Sequence, residues 1–135
     1  MFVARMSEAI PATDTATEFR LRVERPSGDS AIVAVVGDAD LHSGPELRDR
    51  LTGLMDEGVT LLVLDLSETT FVDSMTLGVL LGSVKRLRAT GGRLDVVVPR
   101  PDIRRIFEIT MLDRVFDLHT TLEQALDDRV DGRGA

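Results

Sequence analysis

Three stretches of this chain are apolar at nearly every position yet only six to eight residues long: SAIVAVVG (30–37), TLLVLDLS (60–67) and RLDVVV (93–98). No other feature constrains the fold as much. A strand with one wet face alternates polar and apolar residues, whereas a short continuous run reads as a strand buried in a mostly parallel sheet. Parallel strands need long crossovers, and the segments between these runs have helical spacing. Leu47, Leu51, Leu54 and Met55 form one apolar stripe, opened by the capping-box form Ser43-Gly44-Pro45-Glu46 and closed by Gly58. Leu77, Leu80, Leu81, Val84 and Leu87 form a second, from near Ser74 to Gly91-Gly92.

Further on, Pro101-Asp102 opens a short helix with Ile103, Ile106 and Phe107 inward. RVFDL (114–118) reads as a last strand, and Thr120-Thr121-Leu122-Glu123 as a capping box for a closing helix. At the other end, EFRLRVERP (18–26) alternates Phe19, Leu21 and Val23 with charged residues, and a turn at 27–29 joins it to SAIVAVVG. The expected order is ββαβαβαβα: an α/β fold with right-handed crossovers and an antiparallel edge strand at the N-terminus. Periodicity does not decide whether the helices cover one sheet face or both. Residues 1–17 carry neither hydrophobic period and read as a poorly ordered lead-in, 18–129 as one domain, and 130–135 as a frayed tail.

At 135 residues the chain suits a single core. The net charge of -7 disfavours nucleic acid and anionic membranes as partners and favours proteins with positive patches. No apolar run approaches the roughly 20 residues needed to span a bilayer, so no membrane insertion is expected and the cytoplasm is the default. With no Cys, the chain has no disulfide, thiolate nucleophile or Cys-based metal site. Its two His, His42 and His119, do not stand at metal-ligand spacing, and neither a P-loop nor a dinucleotide turn is present. No cofactor or metal is expected, and no enzymatic activity.

Chemistry concentrates at FVDSMTLGVLLG (71–82). Asp73-Ser74 before an apolar-periodic segment is first of all a helix N-cap. The same geometry suits a modifiable hydroxyl, because a helix N-terminus tolerates a phosphate that a binding surface could not ignore. Met75, in the first turn, is either core or a soft exposed contact. Gly78 and Gly82, four apart on one face, point to close helix–sheet packing ahead of a partner's approach. The loop GDADLHSG (37–44) follows a strand, so Asp38 and Asp40 are expected at the same sheet edge as Asp73-Ser74.

GDADLHS, LLVLDLSETTFVDSMTLGVLLGSVKRLRATGGRLDVVVP and IRRIFEITMLDRVFDLHTTLEQAL resemble the anti-sigma factor antagonist family, the STAS domain, over about residues 18–128. The resemblance implies a partner-switching regulator. It binds an anti-sigma factor with serine kinase activity and frees a sigma factor. Phosphorylation switches it off, and a PP2C-type phosphatase reverses that. By position Ser74 is the phosphoacceptor, and Asp38, Asp40, His42, Ser43, Asp73, Met75, Thr76 and Gly78 join it on the partner-binding surface. Family members commonly have Asp-Ser, a small residue, then Gly-Leu-Gly; here Met75 and Thr76 intervene, and Thr76 is a second hydroxyl within reach. The alternative implied by that departure is a STAS-like binding subunit of a larger assembly, a lipid-transport ABC system or a stress-signalling complex, without a phospho-switch. A response-regulator receiver built on Asp65 is disfavoured, because VVVPRP and RVFDL lack the Lys its chemistry needs.

Overall fold

The computed structural model describes residues 19–130. The expected lead-in over 1–17 and the tail after Val130 lie outside them. Among the described residues the chain forms β1 (Arg20–Ser27), β2 (Ser30–Ala39), α1 (Gly44–Asp56), β3 (Leu61–Asp65), β4 (Thr69–Val72) and α2 (Ser74–Ala89). It continues with β5 (Arg93–Val97), α3 (Pro101–Ile109), a 3-10 turn (Leu112–Arg114), β6 (Asp117–His119) and α4 (Leu122–Val130). The sheet order is β1-β2-β3-β5-β6; β1 is antiparallel to β2, every other pair is parallel, and β4 pairs with β2. The α/β class and the antiparallel N-terminal edge strand are those read from the sequence.

Strand β4 is an addition to the expected order. Glu68-Thr69-Thr70 belongs to no expected element, yet Thr69 is fully buried and its Oγ1 donates to Val35 O at 2.8 Å. Satisfying that hydroxyl on a distant strand lets a polar residue enter the sheet. Its partner β2 runs two residues past Gly37, so Asp38 and Ala39 belong to a strand and not to the expected loop. Gly37, at φ +94°, marks the slip in register where Gly37 faces Thr69 but Asp38 faces Phe71. That bulge leaves Thr70 unpaired and re-aims the strand end toward the candidate site.

Alternate strand residues divide two unequal cores. Ala31, Val33, Val35, Leu62, Leu64, Leu94 and Val96 share a cluster with Leu47 and Leu51 of α1, Leu80 and Leu87 of α2, and Phe107 of α3. Phe107 packs edge-on against Phe116, centroids 5.7 Å apart. On the other face Ile32, Val63 and Val97 meet Ala125, Leu122 and Leu126 of α4. The helices therefore cover both faces, three to one. RLDVVV also carries Asp95, fully buried, which accepts from Arg93 Nε at 3.0 Å and lies 3.0 Å from His119 Nε2.

Three local expectations are corrected. RVFDL is strand only from Asp117, because Leu112–Arg114 turn and Val115 N–H and Phe116 N–H return to Leu112 O, both at 2.9 Å. The closing capping box is one residue later than expected: Thr121 Oγ1 accepts from Gln124 N–H at 3.1 Å, and Gln124 Oε1 accepts from Thr120 N–H at 3.0 Å. Ser43 is the N-cap of α1, but its side chain caps no helix amide. Its hydroxyl is spent within the preceding loop.

Candidate functional site at the carboxyl edge of β2 and β4

The strand ends of β2 and β4 lie side by side, Ala39 opposite Val72, and each leads into a helix. Ala39 O accepts from Asp73 N–H at 3.1 Å and from Thr76 Oγ1 at 2.9 Å. Those two bonds join the end of β2 to the first turn of α2. The 37–44 and 73–78 stretches are thus brought together as expected.

Asp40 and Ser43 organise the β2–α1 loop. Asp40 Oδ1 accepts from His42 N–H at 2.9 Å and Ser43 N–H at 3.2 Å, while Ser43 Oγ accepts from Asp40 N–H and donates to Asp38 O, both at 2.9 Å. Above all the His42 amide holds the Asp40 carboxyl below its ordinary value; desolvation opposes it, and the Ser43 amide and hydroxyl add to the lowering. Ser43 is buried, so its contribution to the site is the loop's shape. His42 is exposed. Asp38, half-buried, accepts from Thr70 Oγ1 at 2.5 Å, tying the bulged residue to β2.

The N-cap of α2 is Asp73, whose Oδ1 accepts from Thr76 N–H at 2.9 Å; Ser74 is the first helical residue. This division of labour decides what Ser74 is free to do. Its side chain is exposed, and its hydroxyl has no hydrogen-bond partner among the described residues. The amides of Ser74 and Met75 likewise have no acceptor among them, leaving two donors at the positive end of the helix. Thr76 is different: it is 2% exposed and its hydroxyl is committed to Ala39 O. The expectation that Thr76 is a second hydroxyl within reach is corrected, since it faces the core beside Leu77 and Leu80.

Exposed apolar side chains stand on the 37–44 and 71–82 stretches, and Leu41 is the one that the residue pattern did not single out. Leu41 is 59% exposed and Phe71 48%, and with Met75 at 46% they make three of the five large apolar side chains exposed among the described residues. A lone Leu inside the polar run Asp38–Ser43 was the available signal. A side chain at Gly44 would meet Met75 Sδ at 3.2 Å, so Met75 lies over the start of α1 and bridges the two helices. Gly78 and Gly82 are exposed, and a Cβ on either would meet nothing within 4 Å. Close helix–sheet packing is therefore not what places them there.

This edge is an apolar surface rimmed by carboxylates, with one unencumbered hydroxyl at a helix start; such a combination suits recognition and modification. Asp65, the residue a receiver would phosphorylate, is occupied in a turn, accepting from Ser67 N–H at 3.0 Å and Ser67 Oγ at 2.5 Å. No helix among the described residues is long and apolar enough to cross a membrane.

Fold and site agree with a single class: the chain belongs to the STAS domain family, whose match covers residues 20–125. Among curated proteins it is 29% identical over 107 residues to an anti-sigma F factor antagonist of Lysinibacillus sphaericus, covering 78% of this chain and 91% of that one. It is 32% identical to an anti-sigma-B factor antagonist of Bacillus subtilis over 91 residues, 67% of this chain and 83% of that one. The crystal structure of an anti-sigma factor antagonist from Mycobacterium paratuberculosis superposes with a TM-score of 0.77 at 31% identity, covering 84% of this chain and 96% of the other.

Proposed function

We propose that this protein is an anti-sigma factor antagonist acting in the cytoplasm as a binding regulator. Unmodified, it engages an anti-sigma factor through the Leu41, Phe71 and Met75 edge and so releases a sigma factor. An anti-sigma factor that is also a serine kinase phosphorylates Ser74 and ends the interaction, and a PP2C-type phosphatase restores it. The observation that carries this reading is the free, exposed Ser74 hydroxyl at the first position of α2, on the segment that also carries the exposed Phe71 and Met75.

The physical logic has three steps. Asp73 already caps the helix, so a group added at Ser74 Oγ costs the fold no capping bond. The amides of Ser74 and Met75 and the helix dipole favour an anion there, so the phosphorylated chain stays folded. The added charge of about -1.5 to -2 nevertheless stands beside Asp73 on a surface that a partner must desolvate. Because no side chain among the described residues accepts a hydrogen bond from Ser74, the base for its reaction comes from the kinase. That division suits a substrate and not a self-modifying enzyme. Asp38, Asp40, His42 and Gly78 complete the contact surface, while Ser43 and Thr76 shape it from beneath.

Each anti-sigma factor kinase encoded in the same genome is to be incubated with the protein and ATP, and the phosphopeptides mapped by mass spectrometry. Phosphate on Ser74, absent in Ser74→Ala, is the expected result. Phosphate confined to another residue refutes the assignment.

A further inference from the structure

An open groove of roughly 440 Å³ runs between α1 and α2, away from the Ser74 edge. Met75, Met55 and Val79 form its apolar walls, Gly78 and Gly82 lie open along it, and Arg48 and Arg86 are the only charged residues lining it among the described residues. In a chain of net charge -7, the groove lining offers two guanidinium groups and no carboxylate of its own, the nearest acids standing on the rim. Arg86 Nη2 is 2.6 Å from Asp56 and Arg48 Nε 3.7 Å from Asp49, both on the exposed rim, where such pairs exchange partners at little cost. Glycine in a helix interior is unfavourable relative to Ala. Gly78 and Gly82 meet no neighbour that a Cβ would disturb, so the fold gives no account of them.

We infer that this groove seats an amphipathic, acidic helix of the anti-sigma partner, lying between α1 and α2 with its carboxylates on Arg48 and Arg86. The inference rests on the function proposed above and extends its surface to Arg48, Met55, Gly82 and Arg86. Three features argue for that occupant. Met75 belongs both to the Ser74 edge and to the groove, so a partner on the edge continues into it. Two side-chain-free positions one turn apart allow a helix to approach closely, and a helix laid in a two-helix groove is a recurrent docking mode. The length also fits: from Met75 to Arg86 the groove follows α2 for about 16 Å at 1.5 Å per residue, or three turns of a docked helix.

The test uses the full chain and the anti-sigma factors of the same genome, purified singly and titrated calorimetrically. Gly82→Leu fills the groove with a better helix former, and Gly53→Leu makes the same change on another face of α1, where a Cβ also meets nothing within 4 Å. Both variants are expected to melt at or above the wild-type temperature. Gly82→Leu and Arg48→Glu should each weaken binding at least tenfold, with Gly53→Leu unchanged. Wild-type affinity in both groove variants, alongside weakened binding by Ser74→Asp, overturns the groove and leaves the proposed function standing. Weakening by Arg48→Glu alone also overturns the seated helix, reducing it to a contact at the rim. If none of the anti-sigma factors binds the unmodified protein, the function and the groove fall together.

Discussion

Thr76→Val separates the two hydroxyls of the α2 start. Valine matches threonine in shape, so the substitution opens no cavity at this buried position and removes only the hydrogen bond to Ala39 O. That carbonyl keeps the Asp73 N–H at 3.1 Å and is not orphaned. The expected cost is therefore one ordinary net hydrogen bond, about 1 kcal/mol. For a domain of about 110 residues the entropy of unfolding is roughly 230 cal/mol/K, so Tm should fall by about 4 °C. Scanning calorimetry reads the fall, and a parallel kinase assay should show phosphate still entering Ser74. An unchanged Tm combined with lost phosphate incorporation would refute the reasoning, because the Thr76 hydroxyl would then be on the surface and serving the kinase.

Ser74→Asp should weaken binding to the anti-sigma factor at least tenfold, since burying an unpaired carboxylate can cost several kcal/mol and about 1.4 kcal/mol is a factor of ten. Ser74→Ala should bind as wild type, and equal affinities for the two variants in calorimetric titration would place the surface elsewhere. Gly92→Ala should destabilise the fold by about 1–3 kcal/mol, because its Cβ would stand 2.3 Å from Thr60 O; an unchanged denaturation midpoint contradicts that contact. Asp95→Ala should cost about 1–3 kcal/mol, since His119 loses its bond to a buried carboxylate while Arg93 keeps Asp117 at 3.4 Å, again read by denaturant unfolding. Asp40 titrates below its ordinary value, so the bonds that close the 38–43 loop should hold at neutral pH. They should give way only as acid is taken below the usual Asp range, about 3.9. Amide shifts of His42 and Ser43 with a midpoint at or above that value would contradict the hydrogen bonding described.

The strand–helix alternation was legible in the sequence because burial leaves a local trace. Leu62–Leu64 and Leu94–Val98 could hardly be anything but inner strands, and Phe19–Val23 alternated as a half-wet edge strand does. The start of α2 at Asp73-Ser74 was legible for the same reason, since a cap is chemistry between near neighbours. Helix starts were placed better than the side-chain bonds at them. Ser43 carried the capping-box pattern, yet its hydroxyl found Asp38 O five residues back. A local motif cannot register a competing acceptor that depends on where the strand ends.

What the tertiary structure decided concerns polar groups and faces. Thr69 and Thr76 look like surface residues, but each is buried because a carbonyl from β2, 34 and 37 positions earlier, is delivered to its hydroxyl. Without those acceptors, burial would cost more than it returns. The outward face of Gly78 and Gly82 follows from the same rotation of α2 that turns Thr76 and Leu80 inward. A period of 3.6 defines a stripe, but a helix whose stripe contains Thr and Ser beside Leu does not declare its edges. Likewise, continuous apolar runs mark inner strands without showing whether helices cover one sheet face or both. Three helices take one face and α4 the other because successive crossovers fall on the side that chain connectivity allows, and connectivity is a property of the assembled sheet.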